Sequence, residues 1–156
     1  MESLSPEALG LPYTTWRPHQ AEILGQILDS DRTFVLLRAR TGFGKSAIAA
    51  ALAALEHPVL VLTHTISLQH QYKSLGAKVV VGAGRFRCKS GDFSCREWIG
   101  VKDFRPPCTG CPYEAQRTEG YRAPFTVTNY AYGALVREPW RRHWLVCDEG
   151  QHIPGA

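Results

Sequence analysis

Residues 36–46, Leu-Leu-Arg-Ala-Arg-Thr-Gly-Phe-Gly-Lys-Ser, constrain the fold more than any other stretch of this chain. An apolar run leads into a loop bearing Gly42 and Gly44, and Lys45-Ser46 then opens an alanine-rich helix. Strand, glycine loop and helix in that order make a P-loop. The two glycines let the backbone from Thr41 onward curl until successive N–H groups face an anion. Lys45 is placed to reach β- and γ-phosphate oxygens, and the Ser46 hydroxyl to ligate Mg²⁺. The helix that follows directs its positive end at the same anion. Ala39 stands where the G-x-x-x-x-G-K-[ST] pattern has its first glycine.

Elements on either side of the loop predict a layered α/β domain. Pro18 suits a first helical turn and Thr15 an N-cap. Ile23, Leu24, Ile27 and Leu28 then recur at helical spacing. Residues 33–38 form a continuous apolar run, as expected of a central strand covered on both faces. Alanine-rich 46–55 predicts a helix packed closely on a sheet, ended by His57-Pro58. Val59-Leu60-Val61-Leu62 reads as a second buried strand, 63–75 as a helix and 78–81 as a third strand. This βαβαβ rhythm implies a mainly parallel sheet. It breaks at Gly82, and residues 82–112 are rich in Gly, Pro, Cys and charge. A loop that long is usually functional or held by something other than apolar packing. A helix near 112–120, a strand at 124–128, a helix at 129–137 and a final strand at 144–147 complete the order.

The final strand ends in Asp148-Glu149. Parallel sheets bring their strand C-termini to one edge, which places Asp148 beside Ser46. There Asp148 is expected to hold Mg²⁺ and Glu149 to orient the attacking water for in-line displacement.

Four of the five cysteines, Cys88, Cys95, Cys108 and Cys111, follow a C-x6-C-x12-C-x2-C pattern inside the long loop. Four thiolates can enclose a metal centre whose binding supplies folding energy to a loop that lacks a core. Spacing alone admits zinc as readily as an iron–sulfur cluster. Cys147 stands apart in the last apolar strand, where a core role is expected.

Taken together, these segments resemble the first motor domain of superfamily 2 helicases, and within them the XPD/DinG-like iron–sulfur branch. Residues 13–20 look like the Q-motif region, with Gln20 implied as an adenine contact. Residues 39–46 are similar to motif I, and 59–71 to motif Ia, which touches the nucleic-acid backbone. Residues 81–88 resemble the approach to the first cluster cysteine, 124–135 the segment before motif II, and 144–154 the DEAH box. Motif II departs at its fourth position, which is Gln151, with His152 one place later.

The resemblance implies a RecA-like P-loop domain over residues 1–156 and an inserted cluster loop at 84–112. It further implies a [4Fe–4S] cluster on Cys88, Cys95, Cys108 and Cys111, single-stranded DNA and DNA junctions as partners, and 5′→3′ unwinding driven by ATP. A second RecA-like domain, which supplies an arginine finger, is expected in the full-length protein, so the chain alone should be nearly inactive. Arg85, Phe86, Arg87, Lys89, Arg96, Trp98, Lys102, Phe104 and Arg105 have the basic and aromatic character that tracks phosphates and stacks bases.

Composition fits this reading. The chain has 156 residues and a net charge of +4, which permits nucleic-acid contact. No run approaches the ~18 apolar residues of a membrane span. The N-terminus lacks the tripartite pattern of a signal peptide, so a cytosolic setting is expected. Two other readings fit the same residues. One is a metal-bound nucleic-acid-binding module with a degenerate ATP site, and the other a P-loop ATPase with a structural zinc loop.

Overall fold

Val59-Leu60-Val61-Leu62-Thr63 forms β1 (Val59–Thr63), with Val59, Val61 and Thr63 fully enclosed. β-branched and aliphatic side chains on both faces suit a strand covered on both sides. The computed structural model describes residues 5–89, 94–100, 110–135 and 143–150. The other strands are β2 (Lys78–Val79), β3 (Phe125–Asn129) and β4 (Trp144–Cys147), in the sheet order β2-β3-β1-β4. Every pairing is parallel. Val59 is in register with Phe125 on one side and Trp144 on the other, and Leu62 with Thr128 and Cys147. The C-terminal ends of β1, β3 and β4 therefore lie level along one edge of the sheet.

The helices are α1 (Gln20–Leu28), α2 (Lys45–Leu55), α3 (Ile66–Ser74), α4 (Cys95–Gly100), α5 (Pro112–Arg122) and α6 (Tyr130–Leu135). In α2, Lys-Ser-Ala-Ile-Ala-Ala-Ala-Leu-Ala-Ala-Leu combines high helix propensity with small side chains. Residues Ser46 to Ala53 are consequently all buried. The main core joins Leu24 and Ile27 of α1, Ile48 and Leu52 of α2, Val59 and Val61 of β1, Tyr72 of α3, and Phe125 and Val127 of β3. A second, smaller core gathers Val80, Cys88, Cys95, Cys111, Tyr113 and Tyr132. Gly120 lets α5 approach β2, because a Cβ there would collide with the Val80 side chain.

Several expectations change. Residues 33–38 are not a strand: they carry no ladder pairing, and Phe34 and Leu36 are 90% and 94% exposed. A strand is made by its ladder partners as much as by its composition. In the described residues β4 pairs with β1 alone, so the apolar run lies outside the sheet. Leu37 alternates inward and packs against the main core. The cap of α1 is His19, in the left-handed region at φ 66°, rather than Thr15. Cys147 is exposed on the outer strand, so its expected core role is corrected. The third strand is two residues long rather than four, although the Val80 N–H still donates to the Val127 carbonyl at 2.9 Å and its side chain enters the second core.

Within the long loop, α4 begins at Cys95 under a reciprocal cap. The Ser94 backbone N–H and hydroxyl both donate to Glu97 Oε2, at 2.6 and 2.8 Å, and the Glu97 N–H donates to Ser94 Oγ at 3.2 Å. Ser94-x-x-Glu97 is a capping box whose signature is readable in the sequence.

Candidate functional site

Asp148 follows β4 directly, and its backbone N–H donates to the Leu62 carbonyl at 3.0 Å. That bond extends the β1–β4 ladder by one residue and brings the Asp148 carboxylate to the sheet edge. Glu149 follows in the left-handed region at φ 55°, a conformation that non-glycine residues adopt mainly in tight turns. The P-loop arrives at the same edge. Thr41, Gly42, Gly44, Lys45, Ser46, Asp148 and Glu149 all line one cavity of about 340 Å³, together with Tyr13, Arg17, Gln20 and Gln71. A wider depression of about 710 Å³, between Lys78, Cys111, Glu114 and Arg122, contains none of these groups. The smaller cleft is the site on chemical grounds, since it joins a glycine loop, a lysine, a hydroxyl and two carboxylates.

Side chains from the N-terminal segment hold the loop in shape. Gln20 is buried, and its Nε2 donates to the carbonyls of Phe43 at 2.8 Å and Gly44 at 3.4 Å. Its Oε1 accepts from the Arg17 backbone N–H at 2.8 Å, and Arg17 Nη1 donates to the Gly42 carbonyl. Gly42 and Gly44 have φ values of 81° and 91°. A Cβ on Gly44 would also displace Gln20 Nε2, the end of the side chain that holds the loop. Lys45 Nζ donates to the Ala39 carbonyl at 3.3 Å, so the residue that replaces the first glycine contributes through its backbone.

The acidic side is braced from α3 and α6. Tyr72 Oη donates to Asp148 Oδ2 at 2.8 Å, and Tyr130 Oη to the Asp148 carbonyl at 2.8 Å. Burial, and then the Asp148 carboxylate, push the Tyr72 phenol far above its ordinary range. Tyr130 is raised as well, by burial first and then by Cys147. Gln71 Nε2 donates to Ser46 Oγ at 3.1 Å. Ser46 and Asp148 thus put a hydroxyl and a carboxylate in one cleft, the hard oxygen donors that Mg²⁺ takes. The sequence reading missed Arg17, Gln71, Tyr72 and Tyr130 as site residues. Arg17 carried a signal, since it precedes Gln20 by three residues, but Tyr72 looked like an ordinary apolar helix position.

Of the four patterned cysteines, Cys88, Cys95 and Cys111 are buried in the second core. Arg87 and Ser94 form an antiparallel bridge, and the Cys95 N–H donates to the Phe86 carbonyl at 2.9 Å, which closes the loop between Cys88 and Cys95. Cys95 and Cys111 sulfurs lie 3.9 Å apart. Cys108 lies outside the described residues, as do Lys102, Phe104, Arg105, Gln151 and His152. Among the described residues, no group of three or more His, Cys, Asp or Glu side chains is set to hold a metal. The thiols have the softness that zinc or iron–sulfur requires, and among the described residues Cys95 and Cys111 are brought together.

No helix among the described residues is long and apolar enough to cross a membrane. A family model described as the type III restriction enzyme, res subunit, matches residues 13–102. That span is more than half of the 156 residues and takes in Gln20, the whole phosphate loop, Gln71 and Tyr72. No curated protein and no solved structure matches the chain.

Proposed function

Because the chain belongs to the type III restriction enzyme res subunit family, an N-terminal motor domain of helicase superfamily 2, we propose that it binds ATP and powers movement along nucleic acid. The observation that carries this reading is the meeting of the Thr41–Ser46 loop with Asp148 and Glu149 in one cleft, although about two thirds of the chain separates them. Backbone amides of the glycine loop would face the β- and γ-phosphates, and Lys45 would neutralise them. Ser46 and Asp148 hold Mg²⁺, which when bound offsets the charge that develops on the phosphoryl oxygens. Glu149 orients water behind the γ-phosphate. Gln20 and Arg17 keep the loop open, with Gln20 also assigned to the adenine side.

We further assign the chain to the XPD/DinG-like branch, acting on single-stranded DNA and DNA junctions with 5′→3′ polarity. A second motor domain with an arginine finger completes its ATP site. In this reading Cys88, Cys95, Cys108 and Cys111 hold a [4Fe–4S] cluster. The 3.9 Å approach of the Cys95 and Cys111 sulfurs favours a second reading, zinc. Two thiolates on one tetrahedral Zn²⁺, each about 2.3 Å away, lie roughly 3.8 Å apart.

Titration with a fluorescent ATP analogue, with Mg²⁺ present, tests the nucleotide site. Saturable binding that Lys45→Ala abolishes is the expected result, and binding indifferent to Lys45 would refute the assignment. Anaerobic purification tests the metal: a brown protein containing iron and sulfide supports the cluster, and a colourless one with stoichiometric zinc replaces it.

A further inference from the structure

We propose that α3 is the brace of the Mg²⁺ site, with its consecutive residues Gln71 and Tyr72 positioning the two metal-binding groups, Ser46 and Asp148. The proposal rests on the ATP-binding reading above and adds to it two positioning residues on an element that contributes no metal ligand.

The argument begins with the helix itself. α3 packs on α2, β1 and β3, which places it between the helix that carries Ser46 and the sheet edge that carries Asp148. Consecutive residues on an α-helix point about 100° apart, so two neighbours can serve two different elements. Gln71 reaches α2 and donates to Ser46 Oγ at 3.1 Å. Tyr72 turns into the core, where it is 1% exposed and its ring meets Phe125 edge-on at 6.2 Å and 84°. From there its hydroxyl donates to Asp148 Oδ2 at 2.8 Å. Two groups that must converge on one cation are thereby held by adjacent positions of one rigid element.

The donor arithmetic leaves room for the ion. A serine hydroxyl has two lone pairs, so Ser46 Oγ can accept from Gln71 and still offer the other to a cation. An ionised carboxylate has about four acceptor sites, and Tyr72 occupies one of them. Neither contact competes with the metal. Each instead restricts the rotamer of a ligand before the metal arrives, which is how partners of metal ligands raise affinity. Tyr130 acts on the Asp148 backbone carbonyl and so fixes the turn rather than the carboxylate.

The test measures binding of a fluorescent ATP analogue to the whole chain over a Mg²⁺ series, for the native protein, Tyr72→Phe, Gln71→Ala and Lys45→Ala. Tyr72→Phe keeps the ring and its packing on Phe125, and Gln71 is exposed, so thermal melting should confirm that both variants fold. A titration in EDTA sets each variant's own metal-free baseline. Both should need about tenfold more Mg²⁺ for the half-maximal effect. Mn²⁺ affinity in the nucleotide complex, read by electron paramagnetic resonance, should weaken in parallel. An unchanged Mg²⁺ midpoint in either variant overturns the joint brace, while loss of binding in Lys45→Ala leaves the ATP assignment standing. Binding that Lys45→Ala does not reduce overturns the ATP assignment itself, and the brace with it.

Discussion

Gln20 Nε2 donates to the Phe43 carbonyl at 2.8 Å, which ties the first residue of α1 to the middle of the phosphate loop. This contact crosses from the N-terminal segment to the loop, and through Oε1 the same amide also receives the Arg17 N–H. Gln20→Ala removes both partners inside a buried spot. It should cost about 1–3 kcal/mol in stability, as expected when buried polar groups lose their bonds. It should also weaken binding of the ATP analogue by roughly tenfold or more, because the loop loses its support. Urea unfolding and a fluorescence titration measure the two effects separately.

Gly42→Ala and Gly44→Ala should differ in severity. Both positions have positive φ, which costs a residue with a Cβ about 1–2 kcal/mol. A Cβ at position 42 meets nothing within 4 Å, whereas at position 44 it strikes Gln20. Gly44→Ala should therefore lose most nucleotide binding, and Gly42→Ala only part. Equal affinities for the two variants would contradict this geometry.

Residues 33–38 offer a direct test of the sheet. Phe34→Ser and Leu36→Thr alter exposed side chains, so each should change stability by less than about 0.5 kcal/mol. Leu60→Ala, in the buried strand β1, should cost about 2–5 kcal/mol. The two surface changes should also raise solubility, since they remove exposed apolar area. Large destabilisation by Phe34→Ser would place the run in a ladder after all.

The cysteines should divide by burial. Cys147 is exposed, while Cys88, Cys95 and Cys111 are buried, so a thiol reagent should modify Cys147 before those three. If metal binds, Cys95→Ser and Cys111→Ser should each abolish it and lower the melting temperature. Cys147→Ser should leave metal content unchanged. Elemental analysis of the three variants decides the matter.

Glu97 should titrate below the ordinary glutamate value of about 4.3. Hydrogen bonds from the Ser94 backbone and then its hydroxyl favour the ionised carboxylate. A lowered value in the folded chain means that the cap is complete above the unfolded value. Its contribution is then lost as pH falls through the folded one. NMR titration of Glu97 should show the lowered midpoint, and Ser94→Ala should move it upward.

Much of the architecture was legible because its signals are local. Alanine content announced α2, alternating Val and Leu announced β1, and the Pro112 helix start matched α5 (Pro112–Arg122). Glycine chemistry marked the phosphate loop, whereas α4 lay unexpected inside the stretch read as a loop. Residues 33–38 misled for a physical reason: an apolar run is necessary for a buried strand but cannot supply its neighbour. Cys147 misled in the same way, since an outer strand and a central one share a composition.

The sequence by itself determined most of the elements, the phosphate loop and the residues able to hold phosphate and cation, because these depend on local geometry and side-chain chemistry. The sequence also implied that Asp148 lies beside Ser46, and the tertiary structure supplied the parallel register of β1 and β4 that sets where each strand ends. Only the tertiary structure recruited Arg17, Gln71 and Tyr72, whose contacts cross from one element to another. Such contacts have no periodic signature in a chain, since they arise only when packing brings distant side chains to one edge.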